Sequence, residues 1–209
     1  MKRIKFYKMC DTDRKAFAQA CGFGPLPDGM PFLHPEELKL LKMSWEVSNL
    51  VTPGLIVDGG KIWPDFLFKS GWGPRALLSQ KIIDSLVNEK ISIARITHMP
   101  IAKVEAPRLL GKAPPKYYVL EALPGIEIDY TASGIPVSGD GNPDYSGIAK
   151  RPPNALWFLR AETWNGTDLM GWQNPAGRPS SQLIVSQRVV DLAERDGWTN
   201  VKFDPIWAS

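Results

Sequence analysis

The same arrangement of hydrophobic and polar residues occurs twice in this chain. Residues 77–84 read Leu-Leu-Ser-Gln-Lys-Ile-Ile-Asp, and residues 184–191 read Ile-Val-Ser-Gln-Arg-Val-Val-Asp. Ser, Gln and Asp are identical in the two copies, and every other position stays apolar or basic. A repeat of this quality indicates one structural unit used twice, and its first expected role is packing.

Each copy predicts a helix that leads into a strand. Ser79 and Ser186 stand at the N-cap positions, because a serine hydroxyl can satisfy a free amide of the first turn. Gly197 predicts the end of the second helix, and the exit strands are predicted at 91–96 and 201–203. The positions expected to face inward are Ile82, Ile83, Leu86 and Val87 in the first copy and Val189, Val190, Leu192 and Ala193 in the second.

Shorter elements are predicted before and between the copies. Those before the first copy are a strand at 4–9, a helix capped by Asp11 or Asp13, a proline-rich loop at 25–35, a short helix at 35–41 and a strand at 55–57. The inner face of the first of these helices would carry Phe17, Ala20 and Cys21. Between the copies, we expect strands 116–120 and 126–130 to pair antiparallel around a turn, and a third strand at 155–160. The segment 131–154 is predicted to be a long loop.

These elements together predict an α+β fold with two related helix–strand units, a mostly antiparallel sheet and long loops rich in Gly and Pro. The 18 glycines and 19 prolines of the chain favour many turns. An N-terminal lobe of residues 1–110 would hold the first unit and a C-terminal lobe of residues 111–209 the second. The two lobes should share contacts as one body.

Net charge and cysteine content argue against several kinds of partner and cofactor. The net charge of +3 is too small to indicate a nucleic-acid or membrane partner. No apolar run approaches the roughly 20 residues of a membrane span, and no secretory signal follows the basic first residues, so we expect a cytoplasmic protein. The cysteines and histidines lack zinc-site spacing, and neither a metal nor another cofactor is expected. These residues are Cys10, Cys21, His34 and His98.

Candidate catalytic chemistry is sparse. Asp140 to Asp144 begin like a calcium loop, but Tyr145 replaces the required glycine and Arg151 the final glutamate, which favours a polar turn. An enzyme is the alternative to a binding protein, with Glu162, Asp168 or His98 as acid and base near the 131–154 loop. A third interpretation is a nucleic-acid binder that uses Arg108, Lys112, Lys116, Lys150 and Arg151.

Aromatic side chains near turns suggest a binding surface. Several of the eight tryptophans lie beside Gly, Pro, Asp or Asn, where large aromatic rings serve protein interfaces or pack loops onto the core. The predicted partner-binding residues are Asp140, Asp144, Tyr145, Trp164 and Trp172.

The C-terminal third carries a family resemblance. Residues 156–160, 183–193 and 197–203 resemble bacterial immunity proteins of polymorphic toxin systems, in the group that often has a double Cys-x-x-Cys-Gly motif. A Val-Ser-x-Arg-Val-Val helix and a Thr-Asn-Val-x-Phe strand recur in that group. This chain departs from the cysteine motif, since only Cys21-Gly22 matches its end. The resemblance implies a non-enzymatic cytoplasmic protein that binds and neutralises one cognate toxin.

Overall fold

In the part of the chain that the structure describes, the fold is built mainly from β-strands, with two short α-helices at equivalent places in the repeated motif. The computed structural model describes residues 5–12, 15–25, 53–68, 76–139, 157–173 and 179–208. The strands are β1 (Phe6–Asp11), β2 (Gln19–Pro25), β3 (Pro53–Gly59), β4 (Phe66–Phe68), β5 (Ala76–Ser79), β6 (Arg95–Met99), β7 (Ile101–Val104), β8 (Tyr117–Glu121), β9 (Leu123–Ile128), β10 (Phe158–Arg160), β11 (Leu169–Gln173), β12 (Pro179–Ser186) and β13 (Val201–Ala208). The helices are α1 (Gln80–Asn88) and α2 (Gln187–Arg195). These elements confirm the predicted α+β class.

The strands form one closed barrel and two smaller sheets. The closed barrel has the order β1-β12-β11-β9-β10-β13, the four-stranded sheet the order β4-β5-β8-β6, and the three-stranded sheet the order β2-β3-β7. Pairing is antiparallel except between β10 and β13, β11 and β9, and β3 and β7 in the described residues. Only Pro100 separates β6 from β7, so the two smaller sheets adjoin there.

β1 lies far along the chain from its partners, whereas β8 pairs with strands that are nearer in sequence. β1 pairs with β12 and β13, which come from the end of the chain. Conversely, β8 pairs with β5 and β6, which precede it. The pairing therefore joins the beginning of the chain to its C-terminal half, while the predicted division after residue 110 stays a prediction.

Two predicted local structures are wrong. The segment predicted as a helix after Asp11 or Asp13 instead contains β2, which pairs along its length with β3. Ala18 and Ala20 are both buried, a period of two that fits a strand and that the helical interpretation overlooked. The expected pairing of 116–120 with 126–130 is also absent: β8 joins the four-stranded sheet, whereas β9 pairs with β10 and β11. The predicted helix at 35–41 lies outside the described residues.

The described residues contain three clusters of buried side chains. One fills the closed barrel around Phe6, and a second lies between the three-stranded and four-stranded sheets around Tyr117. The third packs both helices against strands of both halves and includes Ile82, Val189 and Trp198. Because this third cluster draws on both helices, burial of apolar area couples the two copies of the motif.

The helices begin and end much as predicted, with three differences. Ser79 and Ser186 hold the N-cap positions, but neither side chain makes a capping hydrogen bond. Val87, predicted to face inward, is 56% exposed, and Ser85 is buried in its place. The first exit strand begins at Arg95 rather than at residue 91, whereas the second begins at Val201 as predicted.

Candidate binding surface

The predicted partner-binding residues are only partly within the described structure. Asp140, Asp144 and Tyr145 lie outside the described residues, as does most of the predicted 131–154 loop. Trp172 lies in β11, opposite Ile126 of β9. The role of the predicted partner-binding residues in binding stays a prediction.

Trp164 is held by the closed barrel. It follows a single 3-10 turn at Ala161–Thr163 and is half-buried. Its indole packs edge-on against the ring of Phe6, with the ring centres 5.4 Å apart, and its N–H donates to the carbonyl of Thr167 at 2.9 Å. Because Phe6 is fully buried, Trp164 contributes to packing whatever else it contacts.

A polar cluster surrounds the start of α2. The Ser186 hydroxyl donates to Asp168 Oδ1 at 2.6 Å, and Arg188 Nη1 donates to Asp168 Oδ2 at 2.8 Å. The Ser186 amide donates to the Asp168 carbonyl at 2.8 Å. The two carboxylate oxygens of Asp168, a candidate acid or base, are thus engaged in positioning the helix.

The start of α1 carries the same cluster. The Ser79 hydroxyl donates to Asp65 Oδ1 at 3.0 Å, and Lys81 Nζ donates to Asp65 Oδ2 at 3.2 Å. The Ser79 amide donates to the Asp65 carbonyl at 2.7 Å. The identical Ser and the conserved basic residue of the repeated sequence therefore perform the same structural task in both copies.

The cations of the two clusters also join the helices. Lys81, at the start of α1, donates to the Gly197 carbonyl just beyond α2 at 2.9 Å. Arg188, at the start of α2, donates to the Glu89 carbonyl just beyond α1. A cation at a helix C-terminus satisfies free carbonyls and interacts favourably with the helix dipole. Each helix is therefore capped by a side chain from the start of the other.

This arrangement offers little for nucleophilic chemistry. Ser79 is 1% exposed and Ser186 6% exposed, and each hydroxyl donates directly to a carboxylate within the packed structure. A nucleophilic serine must meet its substrate, and these two face protein instead. The clusters act as structural hydrogen-bond networks.

The three residues of the enzyme hypothesis lie at different places. His98 is on β6 beside Tyr118, whose hydroxyl donates to Gln80 at the start of α1. Asp168 instead pairs with Arg188. Arg188 also reaches Glu89, which lies at the C-terminal end of the nine-residue helix α1, opposite Gln80. The helix is about 13 Å long, so His98 and Asp168 are not brought together. Glu162 is exposed on the 3-10 turn.

His98 has a perturbed acidity of its own. Partial burial lowers its pKa below the usual range, and the nearby charge of Lys116 lowers it further. The neutral imidazole is therefore favoured in the folded protein.

Within the described ranges, no group of three or more His, Cys, Asp or Glu side chains is arranged to hold a metal ion. Neither α1 nor α2, nor any other described segment, forms a helix of the length and apolar character that a membrane crossing needs. Comparison with protein-family models and with curated proteins found no match for this chain.

Exposed apolar side chains mark surfaces that the sequence did not single out. The large hydrophobic residues exposed in the described part of the chain are Ile62, Val87, Leu110, Val137 and Trp207. Single exposed hydrophobic residues are ordinary, whereas a contiguous apolar patch with a polar rim is typical of a binding surface. The sequence did not single out Ile62 or Leu110, because neither lies in an alternating or helical pattern of apolar residues.

Proposed function

We propose that this protein is an immunity protein that binds one cognate bacterial toxin in the cytoplasm and neutralises it without chemistry of its own. The observation that carries the proposal is the C-terminal resemblance, whose two longest stretches are residues 183–193 and 197–203. These residues build β12, α2 and β13, a continuous part of the barrel and the central core. These two stretches therefore form one continuous folded segment, while the third stretch of the resemblance, residues 156–160, includes β10.

The engagement of the polar clusters supports a binding role over catalysis. Asp65 and Asp168 each accept a buried serine hydroxyl and a cation. Acid–base catalysis needs a group that is free to exchange a proton with substrate, and these carboxylates are held by the scaffold. No observation favours the enzyme alternative over binding.

The proposal includes two related units within the chain. It is supported by the match in residue type between positions 77–84 and positions 184–191, which are 107 residues further on. Ser79 and Ser186 donate to equivalent aspartates, and Lys90 and Gly197 both adopt a left-handed backbone at the helix ends, with φ of 57° and 60°. The strand order β4-β5-β8-β6 also has the counterpart β11-β12-β1-β13 within the barrel.

Co-expression tests the proposed function. Each open reading frame adjacent to the gene is expressed alone and with this chain, and a frame-shifted copy serves as the control. We expect one adjacent product to be toxic alone and harmless with the intact chain, and the two proteins to elute together in a defined ratio. If no adjacent product is neutralised, the proposal is wrong; neutralisation by far less than one equivalent of this chain would instead favour an enzyme.

A further inference from the structure

The connection between β7 and β8 is a well-anchored projection. The amides of Glu105 and Ala106 donate to the Val57 carbonyl at 2.7 and 3.2 Å. Ala106 and Leu109 are both buried in the core cluster around Tyr117. The base of the projection is thus fixed by β3 and by apolar packing.

The outer part of the connection is also held in place. Two successive turns are closed by the Leu109 amide on the Ala106 carbonyl and by the Lys112 amide on the Leu109 carbonyl, each at 3.0 Å. Gly111 adopts a φ of 77°, which its missing side chain permits. Lys112 Nζ donates to the Lys61 carbonyl at 2.9 Å and ties the projection to the turn that follows β3. A segment ordered in this way loses little conformational entropy on binding.

This projection brings cations and apolar side chains to one place. Leu110 is 62% exposed and Ile62 48% exposed, and the side chains of Lys61, Arg108 and Lys112 are exposed as well. We call these five residues the basic tip. None of the ion pairs within the described residues involves its three cations.

The carboxylates that the structure describes near the basic tip do not neutralise it. Glu105, at the base, pairs with Lys103 at 2.7 Å. Asp58 is exposed at the end of β3, next to Val57. Among the described residues, three cations against one carboxylate without an ion pair leave an excess of positive charge around the two apolar side chains.

We propose that the basic tip is the surface through which this protein binds an acidic face of its toxin, an inference that rests on the proposed function. The cations steer an acidic surface toward the tip and raise the association rate. Leu110 and Ile62 lie among those cations, where they would be buried against an apolar patch on the partner. Apolar centres with polar rims and arginine are typical of protein interfaces. Phosphate backbones would use the cations and leave both apolar side chains in water.

Charge reversal at the tip tests the inference. The double variant Lys61→Glu/Arg108→Glu, which keeps the contact of Lys112 with the Lys61 carbonyl, is compared with Lys5→Glu/Lys90→Glu, which changes the net charge equally at exposed lysines outside the tip. Against the toxin that the wild type neutralises, we expect tip reversal to raise Kd at least about thirtyfold, chiefly through a slower association rate. The control variant should stay within about threefold of wild type.

A second variant separates the apolar contact from the charge. Leu110→Ser should raise Kd about tenfold through faster dissociation, because it removes burial and leaves the cations intact. Thermal unfolding of every variant checks that the fold is retained.

The outcomes distinguish the inference from the function it rests on. A wild type that neutralises no adjacent product overturns both. Neutralisation by wild type and by the tip variants with equal affinity overturns the inference alone. A second result would also overturn the inference. If the wild type is retained on double-stranded DNA at moderate salt, and tip reversal abolishes that retention but leaves toxin affinity unchanged, the tip is a nucleic-acid surface.

Discussion

The two copies of the repeated motif use the same hydrogen bonds but have different surroundings. In both, a buried serine and a basic residue hold an aspartate that precedes the neighbouring strand. Asp65 is also held by Thr199, whose amide and hydroxyl donate to Asp65 Oδ2 at 2.9 and 3.0 Å. The Asp168 cluster, by contrast, draws its side-chain donors from Ser186 and Arg188.

The central core differs between the copies as well. Ile91 follows α1, whereas the equivalent residue after α2 is Trp198. The indole N–H of Trp198 donates to the hydroxyl of Ser85 on α1 at 3.4 Å, at the position where α2 has Leu192. Residues that are identical in the two copies, such as Ser79 and Ser186, start each helix. Residues that differ, such as Trp198 and Ser85, join one copy to the other.

The largest expected effect comes from the residue that fills the core between the copies. Trp198→Ala should lower the free energy of unfolding by about 3–5 kcal/mol, and Ile91→Ala by about 2–4 kcal/mol, because the larger side chain leaves the larger cavity. Urea unfolding followed by circular dichroism measures both. Equal losses would contradict the view that Trp198 is the main apolar link.

Replacing Asp65 should destabilise the protein more than replacing Asp168, because Asp65 accepts more side-chain hydrogen bonds. Asp65→Ala leaves the Ser79 hydroxyl and Thr199 without their acceptor and should lower the free energy of unfolding by about 2–3 kcal/mol. Asp168→Ala leaves fewer donors unsatisfied, and about 1–2 kcal/mol is expected. The same urea unfolding ranks them. A larger loss for Asp168→Ala would show that the Thr199 contacts contribute nothing.

The cations should matter less, since both are about half exposed. Lys81→Ala and Arg188→Ala should each lower the free energy of unfolding by about 0.5–1 kcal/mol, with the larger loss for Arg188 because it bridges Asp168 and Glu89. The losses should shrink in 1 M salt. The exchanged double variant Lys81→Arg/Arg188→Lys is the matched control, and a greater loss for it than for either alanine variant would contradict equivalent roles.

The smallest expected effect is a pH dependence that only the first copy has. His98 on β6 corresponds to Pro205 on β13, since they lie opposite Tyr118 and Tyr7. Because the pKa of His98 is lowered in the folded protein, the unfolded chain takes up the proton first as the pH falls below about 6.5, and stability decreases. His98→Gln should lose less stability than wild type between about pH 7.5 and about pH 5. Parallel thermal unfolding curves of the two proteins across that range would rule the effect out.

Sequence reasoning located the parts of the fold that local pattern controls. Both helices begin at the predicted residue, and the inward face of α2 is Val189, Val190, Leu192 and Ala193 as predicted. The error at Val87 has a long-range cause, since apolar spacing within the helix did not reveal that Ser85 would be buried to meet Trp198. That contact joins residues 113 positions apart.

Pairing between distant strands was beyond the sequence. Nothing local in β1 indicates that its partners are β12 and β13, and the chain between Glu121 and Leu123 passes from one sheet to another without a turn signal. The candidate surface depended on the same long-range information. Leu110 and Ile62 belong to one basic surface because Lys112 Nζ reaches the Lys61 carbonyl and joins the connection before β8 to the turn after β3.

The position of β1 has a consequence for how the chain reaches its native state. Phe6 and Ile206 are paired although they lie 200 positions apart. Bringing such distant segments together carries a large loop-closure entropy and slows folding. During synthesis β1 is made long before β13 exists, so closure of the barrel must follow translation of nearly the whole described chain. Until then β1 has an unpaired edge, which is the state most open to a chaperone or to aggregation.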